Sequence, residues 1–238
     1  MLVWLRHTLS TALIAGFVTG MVFLGHAERM SRSSLLCERL VVEFADNYRF
    51  VNGDDVKAII LNKYGIYFNS RIDSLRLDEI ERQLCSHTAI TDCQAWSTDD
   101  GNLHVRISQR KPAVRFMDGE NGFYADENGY IFPLYQRFTA KTPVISGPLP
   151  QDSTWIADAA KMALYMTPIW EDKADSIGVD IHGSLTMRFG TPELFTFGKP
   201  EDYVEKFRKV KDYFDIVKSP DKEYTTIDLT YKKQLVCR

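Results

Sequence analysis

The chain has little of what usually announces chemistry. Its five histidines, at positions 7, 26, 87, 104 and 182, form no H-E-x-x-H and no H-x-H, so their spacing builds no metal-binding face. There is no G-x-S-x-G elbow, no S-x-x-K and no phosphate-cradling glycine loop, which removes the usual local signatures of hydrolases and nucleotide enzymes. Four cysteines are too few for a disulfide-framed secreted domain, and no C-x-x-C pair is present for zinc or redox work. Basic excess is missing too. With 29 Lys and Arg against 32 Asp and Glu, the net charge of -3 provides no general field to gather nucleic acid. No catalytic residue, cofactor site or metal site is assigned, and the chain reads as a non-enzyme.

What is present is uneven. Residues 7–27 contain no Asp, Glu, Lys or Arg, and at about 1.5 Å per residue a helix of that length spans roughly 30 Å, the bilayer hydrocarbon. Leu13, Ile14, Phe17, Val18, Met21, Val22, Phe23 and Leu24 make its centre apolar on every side, and Trp4 suits an interfacial position. This predicts one transmembrane helix over 7–27 after a short tail at 1–6. Two other readings stay open: a signal peptide cut after Gly25-His26-Ala27, or a buried soluble helix. Gly16 and Gly20 form a G-x-x-x-G pair, a weak helix-pairing signal. Orientation is unresolved by charge, because Arg6 lies before the run while Arg29, Arg32 and Arg39 follow it.

After a linker at 28–38 the pattern predicts an α+β chain of two modules, 39–111 and 112–238. The first reads strand (40–44), helix from about Val56 capped at Asn52-Gly53-Asp54-Asp55, helix after Leu75 carrying Ile80 and Leu84, then a hairpin of 90–98 and 102–108. Asp99-Asp100-Gly101 supplies the turn, and Leu103, Val105 and Ile107 alternate with polar residues. In the second module Asp118-Gly119, Asn121-Gly122 and Asn128-Gly129 read as turns between short aromatic strands. Asp126 to Gly129 collects acceptors but reads as a hairpin turn rather than a calcium loop. A helix at 154–166, strands at 177–181 and 184–189, and a helix starting at Pro200 follow; its stripe of Tyr203, Phe207, Val210, Phe214 and Val217 is suited to packing on a sheet. The last strand is placed at 224–231, at a sheet edge. Its charged outer face either protects that edge or frames it for a partner strand. Cys85 and Cys93 stand close enough in sequence for a disulfide in an oxidising compartment, or serve as small buried thiols.

The order of tail, membrane helix, strand-helix-helix-strand-strand module and β-rich module resembles the FtsQ/DivIB family of bacterial cell-division proteins. Gln109-Arg110-Lys111-Pro112-Ala113 looks like that family's junction between its polypeptide-transport-associated (POTRA) domain and its β domain. Tyr124-Ala125-Asp126-Glu127-Asn128-Gly129 and Pro143-Val144-Ile145-Ser146-Gly147-Pro148 resemble stretches within the β domain. Ile227-Asp228-Leu229-Thr230-Tyr231-Lys232 is similar to its terminal strand, and Gln234-Leu235-Val236-Cys237 to Bacteroidetes members.

The resemblance implies a single-pass protein of the cell inner membrane, its N-terminus cytoplasmic and its bulk periplasmic, scaffolding septum assembly without catalysis. It implies recruitment through the POTRA module among other divisome membrane proteins. It also implies docking of an FtsB-like partner, which associates with an FtsL-like partner through a coiled coil, on a strand containing Ile227, Asp228, Leu229, Thr230 and Tyr231, with Lys232 and Lys233 as rim contacts. Thr230 stands where many relatives carry arginine. Rival readings are a POTRA-type adaptor in transport or envelope assembly, and a membrane-tethered periplasmic cell-wall enzyme.

Overall fold

The computed structural model describes residues 16–21, 35–170, 174, 176–219 and 223–238. Residues 16–21 are helical, with Phe17, Val18 and Met21 exposed. Leu13, Ile14, Val22, Phe23 and Leu24 lie outside the described residues. No helix among the described residues is long and apolar enough to cross a membrane.

The chain divides into two units, the first containing residues 35–47 and 51–109 and the second residues 110–238 together with Tyr48–Phe50. In the first unit β1 (Arg39–Phe44), α1 (Gly53–Ile59), α2 (Leu77–Cys85), β2 (Ile90–Ser97) and β3 (Asn102–Gln109) follow the expected order. Asn52 caps α1: its side chain accepts from the Asp55 N–H while the Asp55 carboxylate accepts from the Asn52 N–H. The sheet order is β1-β3-β2, with β3 antiparallel to β2 and parallel to β1. Leu103, Val105 and Ile107 are fully buried, so the alternation read in β3 marks its core face. Leu35 to Glu38, read as linker, belong to this fold. Cys37 is buried and exchanges backbone bonds with Asn69 and Ser70, and the Glu38 N–H donates to Gly101.

The second unit holds a nine-stranded mixed sheet in the order β12-β11-β10-β9-β8-β7-β4-β5-β6. Its strands are β4 (Val114–Asp118), β5 (Asn121–Ala125), β6 (Ile131–Pro133), β7 (Val144–Ser146), β8 (Ser176–Val179), β9 (Leu185–Arg188), β10 (Leu194–Gly198), β11 (Thr226–Asp228) and β12 (Val236–Cys237). Register aligns Phe116, Ile145, Ile177, Met187, Phe195, Ile227 and Cys237 in one row. The first six are buried beneath α3 (Ser153–Trp170) and α4 (Tyr203–Asp212), in one apolar core. Ala159, Ala160 and Ala163 are fully buried, small enough for α3 to lie close. The next row, Met117, Ser146, Gly178, Thr186, Thr196, Asp228 and Val236, faces the other way and is half-buried or exposed.

Local expectations fail in instructive places. Asn121-Gly122 is no turn, because both residues pair with β4, and a Cβ on Gly122 would meet the Phe116 carbonyl at 2.6 Å. Pro200 sits in a turn; α4 begins after Asp202, whose backbone is left-handed at φ 51. The strand read at 224–231 shrinks to β11.

Candidate docking corner

That shortening is caused by side chains. The Asp228 carboxylate accepts from the Thr230 N–H at 2.9 Å and from its hydroxyl at 2.6 Å, folding the chain back on itself one residue past β11. Lys209 of α4, buried despite its charge, donates through Nζ to the carbonyls of Leu229 at 3.2 Å and Tyr231 at 2.6 Å. Carbonyls that would have extended a ladder therefore end on an ammonium. Glu205, one turn earlier, accepts from the Lys233 N–H at 3.4 Å and lies 3.5 Å from Lys209. The Lys233 N–H and the Lys209 ammonium hold the Glu205 carboxyl below its usual range.

The returning chain then forms β12, antiparallel to β11, with Ile227 opposite Cys237 and Asp228 opposite Val236. Arg238 exchanges both backbone bonds with Thr226, at 2.9 and 3.0 Å. β11 is consequently flanked on both sides by its own chain, by β10 in parallel on one and by β12 in antiparallel on the other. The expectation of an open edge along 224–231 is overturned: the edge strand is β12.

The seven residues assigned to docking separate into two groups. Ile227 and Leu229 are fully buried in the core, and Asp228 is half-buried and occupied with Thr230. Thr230, Tyr231, Lys232 and Lys233 form an exposed turn, with Tyr231 46% exposed. The Thr230 methyl lies 2.9 Å from where a Cβ on Gly198 would stand, so the glycine at the end of β10 makes room for this turn. Sequence reading missed Lys209 and Glu205, although their i,i+4 spacing on a helix is itself a pairing signal.

A second polar group braces the neighbouring end of β10. The Tyr213 hydroxyl donates to Glu193 Oε1 at 2.9 Å, and Lys218 Nζ lies 3.4 Å from the same oxygen. Burial alone would raise the Glu193 carboxyl. The Thr191 hydroxyl beside it, its own N–H, the Tyr213 hydroxyl and the Lys218 charge outweigh that and lower it to about 2. At the far end of the sheet Arg110 pairs with the buried Asp126 at 2.5 Å and lies over the Tyr130 ring at 3.9 Å. Asp126 also accepts from the N–H groups of Asn128 and Tyr130, which makes 126–129 the turn expected.

Cys85 is exposed, Cys93 is buried, and both are free thiols; burial, with the neighbouring Cys85, Glu81 and Asp92, pushes Cys93 up to about 12. A groove of about 830 Å³ lies on α3 and α4, with Tyr165, Ile169, Tyr203, Val204 and Phe207 in its walls and Asp202, Glu205, Arg208 and Lys211 among its polar groups. Among the described residues no cluster of His, Cys, Asp and Glu is arranged to hold a metal ion.

Comparison with known proteins places both units. Residues 35–108 match the POTRA-like domain, and residues 111–238, more than half of the chain, match the FtsQ/DivIB, C-terminal related model. No curated protein matches. These are the domains of a division-related scaffold that works through protein contacts. Because the second match covers more than half of the chain and the POTRA-like domain precedes it, the chain belongs to the FtsQ/DivIB family.

Proposed function

We propose that this protein is a non-catalytic, single-pass scaffold of the division machinery, held in the inner membrane by residues 7–27 with its bulk in the periplasm. The POTRA-like domain recruits the protein among other divisome membrane proteins. The carboxy-terminal corner docks an extended segment of an FtsB-like partner, which pairs with an FtsL-like partner through a coiled coil. The observation that carries this reading is the family match over residues 111–238, ending in a sheet edge with an exposed Tyr231-Lys232-Lys233 rim. Main-chain bonds supply affinity in such docking, and side chains alternating along the strand supply selection.

A membrane pull-down tests it. Leu229 is core, so its replacement reports on folding; Tyr231→Asp changes only the exposed turn. Wild-type protein is expected to recover coiled-coil division proteins, and Tyr231→Asp to recover roughly tenfold less. Equal recovery by both overturns the docking assignment, and recovery of a barrel-assembly complex instead supports the adaptor reading. A reporter fused after Arg238 is expected to be active only in the periplasm, and cytoplasmic activity rejects the topology.

A further inference from the structure

We infer that β12 is a placeholder strand, and that the partner segment enters this corner by strand exchange, displacing β12 and pairing with β11, rather than by adding outside β12. This rests on the docking reading above and specifies how that site opens.

The argument begins with counting backbone groups. In an antiparallel pair the residues alternate between those that exchange both bonds with their opposite number and those that turn N–H and C=O outward. Thr226 and Arg238 exchange both bonds, so Ile227 opposite Cys237 is a non-hydrogen-bonded pair, and Asp228 with Val236 is again a bonded one. From Val236 to Arg238, therefore, only Cys237 presents its N–H and C=O to an incoming chain. Leu235, outward by the same alternation, lies outside the two-residue β12, so the regular outer edge is too short to hold an extended segment well by β-addition. Behind it, β11 turns the N–H and C=O of Thr226 and of Asp228 toward β12, and the Thr225 N–H also reaches Arg238 at 2.6 Å. The better acceptor edge is the occupied one.

The ribbon is also built to leave by itself. The turn before it is fixed separately, by Lys209 on Leu229 and Tyr231 and by Glu205 on Lys233. The last residue of that turn, Lys233, stands at φ 60, a left-handed conformation that a side chain disfavours. Releasing β12 relieves this residue without disturbing the bonds from Lys209. Leu235, Val236 and Cys237 are only half-buried and Arg238 is exposed, so little apolar surface holds the ribbon down.

What β12 does also describes what replaces it. The entering segment is an extended peptide running antiparallel to β11, with apolar residues at the Leu235 and Cys237 positions, whose side chains pack against the core, and polar or basic residues between them, beside Asp228.

The test locks the ribbon. Ile227→Cys sets a thiol opposite Cys237 in a non-hydrogen-bonded pair, the closer of the two antiparallel pair types, whose Cα separation of about 4.5 Å lies within the range a disulfide spans. The full chain in detergent is compared in four forms: wild type, oxidised Ile227→Cys, the same protein reduced, and a chain lacking residues 235–238. The probe is a fluorescent synthetic peptide copying residues 233–238 with serine for cysteine. Strand exchange requires the shortened chain to bind at least tenfold more tightly than wild type, and the oxidised form not to bind until reduced. Equal binding to the shortened, wild-type and oxidised chains overturns exchange in favour of addition outside β12. No binding to the shortened chain overturns it as well, because the β11 edge is then no acceptor. Should Ile227→Cys fail to fold, the comparison of wild type with the shortened chain still decides. Failure of the docking reading itself shows elsewhere, as equal membrane pull-downs from wild type and Tyr231→Asp.

Discussion

Two hairpins of this molecule solve one problem in opposite ways. Each must reverse the chain through a left-handed residue: the β2–β3 hairpin uses Gly101 at φ 82, and the β11–β12 hairpin uses Lys233 at φ 60. Glycine accepts that conformation without strain, whereas lysine does not. The first hairpin joins two strands of eight residues, the second strands of three and two. The first is therefore closed by its own local sequence. The second is closed by Lys209 and Glu205, reaching across from another element. The first hairpin is anchored along its whole length, whereas the two-residue ribbon of the second is suited to leaving while the turn before it stays clamped by Lys209.

The largest effect that sharpens this contrast is in the first hairpin. Leu103→Ala removes a fully buried side chain from the central strand of the β1-β3-β2 sheet and is expected to cost about 2–5 kcal/mol, read as a lower urea midpoint. Gly101→Ala is the next largest. A Cβ there would lie 2.9 Å from the Leu36 carbonyl, a backbone atom that cannot swing aside, and the left-handed strain adds to it. About 1–3 kcal/mol of destabilisation is expected. If Gly101→Ala proves as mild as a surface change, the distinction between the two turns collapses.

How far these features were legible from sequence follows the same division. The β2–β3 hairpin declared itself through Asp99-Asp100-Gly101 and the Leu103, Val105, Ile107 alternation, and α1 through its Asn52 cap, because each is a property of a few adjacent residues. The insertion of β3 between β1 and β2 was not legible, since no local pattern states which strands become neighbours. Asn121-Gly122 misled because the glycine that marks a turn dipeptide is also the smallest residue, and close packing against β4 required it. At the candidate docking corner the apolar identities of Ile227 and Leu229 were readable as one face of a strand. Its end at Asp228 was not. That end is set by Lys209, and a lysine in an amphipathic helix reads as solvent-facing until the carbonyls it satisfies are seen.

Acid separates the units next, because Glu193 belongs only to the larger sheet. Its carboxyl is lowered from 4.5 to about 2 in the folded protein. Within that interval the unfolded chain binds a proton that the folded one does not, so this contribution is complete above about 4.5 and is lost as pH falls through about 2. Glu193→Gln is expected to flatten the acid limb of the stability profile for the 110–238 unit while leaving that of the POTRA-like unit unchanged. Amide exchange of β10 against β3 between pH 5 and 2 measures both together.

The smallest effect is the most telling, since it turns one hairpin into the other. Lys233→Gly places at the terminal turn the residue type that the β2–β3 turn already has. Removing the side-chain penalty of the left-handed conformation, at about 1 kcal/mol, is partly offset by the greater freedom glycine has in the unfolded chain, leaving a gain of about 0.5 kcal/mol. That gain falls on the ribbon alone: the Arg238 amide, bonded to Thr226 at 2.9 Å, should exchange about twofold more slowly, while Leu229, bonded inward to Thr196, should not change. A turn whose lysine were fitted to its conformation by other contacts would instead exchange faster with glycine, and the strain that we assign to Lys233 as the hinge of the terminal ribbon would not exist.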